Sequence, residues 1–404
     1  MAKARKLSSA GVDAVIDRLL RFRVEIPTWG FADTGTRFGK FLQPAAAIDL
    51  PDKLADAGCV HQYTGVTPTV ATHVLWDFPK GFDPSIVKLA ARHGVTIGSV
   101  APNLFQDQCY KNGALCNRDA AIRRRAVGHI LDSIDIARQT RSRYLSLWFA
   151  EGANHPGQAD IRPRKGWATA ALRKVHAAMP PGMVMLLEYK PFEPAFYFTD
   201  FFDWGSSYIY CKAAGPRAKV LVDTGHHFPG QNIEQIVAWL IDENMLGGFH
   251  FNDKKYSDDD LTFASIDPYQ AFRIFHEIAA WEAEHGRDLD IAYMIDQSHN
   301  IKPKVQETIQ TVGRVQQTFA KALCVDRAAL AAAQADEDHV AAEELLHEAF
   351  NTDVRPILKA VRRKLGVPAD PLAAFRSSGY EQAAAKDRQA RRAALGLTAG
   401  SSYA

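Results

Sequence analysis

The five cysteines of this 404-residue chain, Cys59, Cys109, Cys116, Cys211 and Cys324, never stand in a Cys-x-x-Cys spacing. So odd and scattered a set excludes a disulfide framework and a thiolate zinc site, and predicts a reducing, cytoplasmic compartment. The chain also lacks any apolar run long enough to span a bilayer. Its basic first residues lack the continuous apolar stretch and small-residue cleavage site of a secretory leader; Ser8 or Ser9 instead reads as the cap of a helix. An excess of one charge is missing too: 48 Lys and Arg face 46 Asp and Glu, a formal net charge of +2. Neither nucleic acid nor an anionic membrane is an expected partner of so balanced a chain. No Gly-x-Gly-x-x-Gly follows the first candidate strand, which removes the strongest cue for dinucleotide binding.

What the sequence does contain is an alternation. Short apolar runs at 22–27, 71–76, 95–100, 143–149, 183–189, 219–223, 247–252 and 291–296 have the length and Val, Ile, Leu and aromatic content of buried parallel strands. Amphipathic segments separate most of them, among them 85–94, 118–140, 164–179, 232–244, 268–286 and 303–323. The stretch 28–70 reads as a long loop and then a helix near 45–57, and 191–218 is aromatic-rich without a clear period. Eight such units predict an α/β fold, a closed (β/α)8 TIM barrel, with a doubly wound open sheet as the competing architecture. After about residue 325 the chain turns Ala-rich and charged. The expected division is a catalytic barrel over 1–325 and a helical C-terminal extension over 326–404 that serves subunit contacts. The basic run at 387–392 reads as a solvated helix face.

In such a barrel, chemistry collects at the C-terminal ends of the strands. The fifth run ends in Glu188 and Lys190, the sixth in Asp223 followed by His226 and His227. The seventh carries His250 and leads to Asp258, Asp259 and Asp260; the eighth ends in Asp296, with Ser298 just beyond. Singly, each has an ordinary explanation: an Asp caps the next helix, a His fills the core, a run of Asp is a solvated loop. Four successive strand ends carrying them together is a different matter. Carboxylates gathered in a partly dry site repel one another, and a divalent cation resolves the repulsion. Glu188, Asp223, Asp258, Asp260 and Asp296 bring five negative charges. Two divalent ions nearly balance them, and Lys190 completes the count. Oxygen ligands with some imidazole and no thiolate favour Mn²⁺, Mg²⁺ or Co²⁺. Alternation along a strand puts Glu188 and Lys190 on the same side.

Taken together, E-x-K at 188–190, D-x-x-H-H at 223–227, H-x-N-D at 250–253, D-x-D at 258–260 and D-Q-S-H-N at 296–300 resemble the L-rhamnose isomerase family. That family is related to xylose isomerase, and the likeness is greatest to its broad-specificity bacterial subgroup. The resemblance implies a homotetrameric barrel with two divalent ions, Mn²⁺ first. Glu188, Asp223, His250 and Asp296 match the ligands of a structural ion, with Glu188 bridging. His226, Asp258 and Asp260 match those of a second, catalytic ion. Lys190 would hydrogen-bond the substrate near the reacting carbons. His73 and Trp76 after the second strand and Trp148 after the fourth would contact the sugar, with ring opening assigned to His73. Ser298 joins the sugar-binding set, and Phe38 in the loop 29–41 would cover a neighbouring subunit's site. The implied reaction interconverts an aldose and a ketose, L-rhamnose and L-rhamnulose first, with D-allose and other rare aldoses as further substrates. It proceeds by a hydride shift, or through an enediol with Asp296 or a water beside it as base. The rival readings are a sugar epimerase and a metal-dependent phosphodiesterase on a related barrel; near-neutral charge argues against the second.

Overall fold

The computed structural model describes residues 9–33, 35–36, 39–150, 152–192, 200–298 and 301–397. The eight apolar runs form eight strands: β1 (Glu25–Pro27), β2 (Thr69–His73), β3 (Thr96–Ala101), β4 (Tyr144–Leu147), β5 (Val184–Glu188), β6 (Ala218–Asp223), β7 (Leu246–Phe251) and β8 (Ala292–Ile295). Each pairs in parallel with its sequence neighbours, and β1 pairs with β8, so the sheet closes on itself. This is the (β/α)8 barrel, and the open sheet is excluded. Among the described residues each strand is followed by a helix of two turns or more, from Leu50–Thr64 after β1 to Lys304–Leu323 after β8.

Inside the barrel, Leu186, Leu221, Ala292 and Met294 form a small core of their own, apart from the large core between strands and helices. Side chains two residues apart on a strand share a face. Two residues beyond Leu186, Leu221 and Met294 come Glu188, Asp223 and Asp296. His250 lies level with Met294 on one side and Asp223 on the other. The apolar plug and the polar cluster are thus successive layers of one barrel interior. Near β1 the packing is equally tight: a Cβ at Gly98 would lie 1.7 Å from Glu25 Oε2, so only glycine leaves room for that buried carboxyl.

Boundaries move where side chains from distant segments decide them. The run 71–76 does not stay extended: β2 stops at His73 and a one-turn helix, Val74–Asp77, follows. The cause is Asp77, whose Oδ2 accepts from His73 N (2.8 Å) and Thr28 Oγ1 (2.7 Å), while Oδ1 receives Lys53 Nζ at 2.7 Å. The helix expected near 45–57 lies instead at Leu50–Thr64, started by the Asp49 cap and a proline in the first turn and ended by Gly65 at φ 71°. Ala47 stays outside it, bridged to Ala32. The 191–218 connection contains the helix Trp204–Ala214, begun by a capping box at Asp203.

A helix Ser9–Arg21 precedes the barrel, and five follow it: Arg327–Ala335, His339–Asn351, Arg355–Leu365, Pro371–Arg376 and Tyr380–Ala394. The basic run at 387–392 is not a solvated face. Arg388 and Arg392 are buried against aspartates of the barrel, because their guanidinium forks find fixed carboxylate partners there. Among the described residues, no helix is long and apolar enough to cross a membrane.

Candidate functional site

A cavity of about 610 Å³ opens at the C-terminal ends of the strands. Glu188, His250 and Asp296 on its floor, with Asp223 buried beside them, each offer one ligand atom, all within 4.8 Å of one another. Asp223 is fixed from behind by Gly225 N at 2.7 Å and Asn252 Nδ2 at 3.1 Å. Trp29 donates its indole N–H to Asp296 Oδ1 at 2.8 Å. His250 Nδ1 lies 3.1 Å from Glu188 Oε2 and 3.6 Å from Asp296 Oδ2. Yet it is buried with no hydrogen-bond partner of proper geometry among the described residues. An imidazole nitrogen aimed into three carboxylates without a hydrogen bond is placed as a metal ligand is placed.

The electrostatics say the same. Burial, reinforced by Glu188 and Asp296, pushes Asp223 up to about 7 against the pull of His226. Burial alone would lower His250, but Glu188, Asp296 and Asp223 raise it to about 9. Burial would raise Glu188, but His250 and His226 outweigh it and hold it at about 2. The cluster without a cation relieves its charge by holding protons, and a divalent ion would displace them.

The second predicted set stands beside the first. His226 Nε2 is 3.1 Å from Asp258 Oδ1 and 4.0 Å from Asp223 Oδ2, and its Nδ1 meets Tyr189 O at 3.0 Å. Lys190 Nζ reaches Asp258 Oδ2 at 2.5 Å. Burial would raise Asp258, yet His226 and Lys190 keep it well below the usual carboxylate range. Asp260 lines the same cavity from a left-handed backbone (φ 48°), and burial with Asp258, Asp296 and Asp223 nearby holds its carboxyl well above the usual range. The four-residue cluster is one potential ion site; His226, Asp258 and Lys190 form a hydrogen-bonded group at its edge.

Aromatic rings build the wall. Trp29 meets His73 at 4.7 Å between centroids, His73 meets Trp76 at 4.3 Å, and Phe105 meets Trp148 at 4.8 Å. Lys190 Nζ lies 5.0 Å from the Trp148 ring centroid. Burial lowers His73 to about 3, with His250 and Lys53 adding to the effect, so its imidazole is neutral at any working pH. Ser298 Oγ and His73 Nδ1 are both buried on this wall without a hydrogen-bond partner among the described residues. Trp76 and Trp148 reach the cavity from just beyond their strands rather than from within them. Phe38 falls outside the described residues. Trp29, Lys53, Phe105 and Gln106 also line the cavity; sequence reasoning did not single them out, because Lys53 lies on a helix, Phe105 and Gln106 on a loop, and Trp29, two residues beyond β1, is not a charged or imidazole side chain.

A family profile described as "Xylose isomerase-like TIM barrel" matches residues 52–291. The chain belongs to this family. A "Probable sugar isomerase" of Mesorhizobium japonicum and another of Rhizobium meliloti are each 40% identical to it over 385 residues, covering 94% of this chain and 89% of theirs. Among solved structures, an L-ribulose 3-epimerase is similar with a TM-score of 0.56 and 14% identity, over 74% of this chain and 95% of that one. At that identity the likeness is one of fold. The xylose isomerase-like match spans Glu188, Asp223, His226, His250, Asp258 and Asp260. Trp29 and Asp296, which hydrogen-bond each other, lie on either side of it.

Proposed function

We propose that this chain is a divalent-metal-dependent isomerase of free monosaccharides, interconverting an aldose with its ketose, L-rhamnose with L-rhamnulose first and D-allose and other rare aldoses after it. The observation that carries the reading is the orphaned His250 Nδ1 among Glu188, Asp223 and Asp296, on the floor of a cavity that also holds Lys190. The two relatives at 40% identity, named as sugar isomerases, support it. Their names do not specify the sugar; L-rhamnose rests on the motif resemblance. Glu188, Asp223, His250 and Asp296 would hold one ion, and His226, Asp258 and Asp260, with Glu188 shared, a second. Mn²⁺ is the first choice for both, with Mg²⁺ or Co²⁺ as substitutes. The enzyme acts in the cytoplasm as a homotetramer, with 326–404 as an extension of the catalytic barrel 1–325.

A bound divalent ion supplies Lewis acidity toward the sugar oxygens. The protein does the rest. Neutral His73 accepts the anomeric hydroxyl proton as the bond from C1 to the ring oxygen breaks, and the ring oxygen takes a proton in return, which leaves the open chain. Trp76, Trp148 and Trp29 pack on the open chain and exclude water, and Ser298 offers it a hydroxyl. On the enediol route Asp296, oriented by Trp29, takes the C2 proton and returns it at C1, while the O2 hydroxyl proton passes to O1. Lys190 donates a hydrogen bond to the oxygen on which negative charge grows. Lys190→Met is expected to lower turnover by about 10²-fold, and to lower the melting temperature as well, because it strips the part-buried Asp258 carboxylate of its lysine. An unchanged turnover number would remove the charge of Lys190 from the mechanism.

A second reading, epimerisation of a ketose, draws on the same cavity. Glu188 on β5 and Asp296 after β8 approach from different strands and could serve the two faces of one carbon. A panel assay separates the two. Protein loaded with Mn²⁺ is given L-rhamnose, D-allose, L-mannose, D-xylose and the ketoses D-fructose and L-rhamnulose, and products are resolved chromatographically. Ketose from L-rhamnose supports the isomerase. A new ketose from a ketose, with no aldose formed, replaces it by the epimerase.

A further inference from the structure

The C-terminal helix Tyr380–Ala394 carries arginines at 388, 391 and 392, a spacing that sets them on one face. The first two meet Asp49, Asp52 and Asp56, which cap and follow the start of Leu50–Thr64. Arg388 gives both Nη atoms to Asp56 at 2.8 Å, and Tyr380 donates its hydroxyl to the same carboxylate at 2.7 Å. Arg391 reaches Asp52 at 2.7 Å and Asp49 at 2.6 Å. Arg392 goes elsewhere: to Asp33 Oδ2 at 2.5 Å, Gln43 O at 2.6 Å and Ala46 O at 2.9 Å. Asp33 in turn accepts from Gln43 N at 2.7 Å through its other oxygen.

These partners belong to the cavity wall. Ala32, Asp33 and Ile48 line the cavity. Ala47 N donates to Phe31 O at 2.8 Å, joining the two stretches of backbone that carry them. Trp29, which orients Asp296, begins the first stretch. A single buried guanidinium therefore ties both stretches together from behind. A lysine could supply the charge but not the planar fork that bonds a carboxylate and two carbonyls at once.

We propose that Arg392 is a positioning residue for sugar binding, and that the helix Tyr380–Ala394 braces the wall formed by 29–33 and 43–48. The proposal rests on the reading of this cavity as a monosaccharide site. It gives the extension a role within its own chain, separate from any contact with another subunit. Arg391 makes the contrast: it docks the same helix on the same partner without bonding to either stretch, and its partner Asp52 keeps its own hold on Ile48 N at 3.0 Å through the other oxygen.

The test compares Arg392→Gln with Arg391→Gln in the full-length, Mn²⁺-loaded protein. Arg392→Gln is expected to raise KM about tenfold with kcat within about twofold, the pattern of lost binding rather than lost chemistry. In the absence of sugar, hydrogen exchange over 29–33 and 43–48 is expected to quicken. Arg391→Gln should do neither, and Arg392→Lys should recover part of the loss. Unchanged KM and unchanged exchange in folded Arg392→Gln would overturn the brace. So would equal effects from Arg391→Gln, or a KM that follows a loss of oligomer mass by light scattering. If Arg392→Gln does not fold, Arg392→Lys carries the same measurements. If the wild-type chain turns over no sugar, the proposed function fails, and the exchange result alone decides the brace.

Discussion

Asp296→Asn is expected to lower turnover on the best aldose by about 10³-fold, within the span a positioned general base contributes, while the barrel stays folded. The substitution keeps size and shape, and the amide oxygen can still accept the indole N–H of Trp29. What it removes is a carboxylate that both borders the ion cluster and faces the cavity, as Glu188 does, and that Trp29 orients. Burial holds Asp296 above the usual carboxylate range, and Glu188 and Asp258 oppose the relief His250 provides. Deleting its charge therefore eases repulsion, so the metal-free variant should melt no lower than the metal-free wild type. Steady-state kinetics in D₂O read the route as well. Solvent deuterium at C1 of the product in the wild type marks the enediol route, with exchange on the base; its absence is the result of a hydride shift or of a proton returned before it exchanges. A normal turnover number in Asp296→Asn would remove the residue from the mechanism by either route.

Much of this site is legible in the sequence because a strand has a period of two. Leu186 and Glu188, Leu221 and Asp223, and Met294 and Asp296 each repeat the step from apolar plug to polar floor. Reading what ends each apolar run thus finds the cluster without coordinates. The limit of that method is equally physical. β2 ends at His73 because Lys53 and Thr28, each more than twenty residues away from Asp77, hydrogen-bond its side chain, and no local propensity encodes that. Phe105 enters the cavity from a loop, where periodicity carries no information, and Trp29 from a 3-10 helix two residues beyond β1. The arginines at 388, 391 and 392 look like a solvated face until Asp49, Asp52 and Asp56 are seen opposite the first two and Asp33 opposite the third. Those partners lie more than three hundred residues away in the chain, so no local pattern announces them.

Removal of divalent ions by a chelator is expected to abolish turnover completely, and Mn²⁺ in excess of the chelator to restore it. The same experiment read by thermal melting has a pH dependence whose sign follows from the metal-free site. Asp223, raised to about 7, binds a proton more tightly folded than unfolded, so its contribution to stability is lost as pH rises through 7. His250, raised to about 9, contributes stability that is complete below its ordinary value of 6.5 and lost as pH rises through 9. Glu188, held at about 2, is ionised in both states across that range and adds no slope there. Metal-free protein should therefore lose stability between about pH 6 and 9. A bound ion takes the place of those protons, so the loaded protein is spared that loss. The gain in melting temperature on adding Mn²⁺ is expected to grow with pH over the same interval. At a free ion concentration a hundred times Kd the gain corresponds to about 2.7 kcal/mol, and Kd itself should fall as pH rises. A chelated protein that keeps its activity would remove the metal from the reaction. A melting gain that shrinks with rising pH would place the ion somewhere other than among Glu188, Asp223, His250 and Asp296.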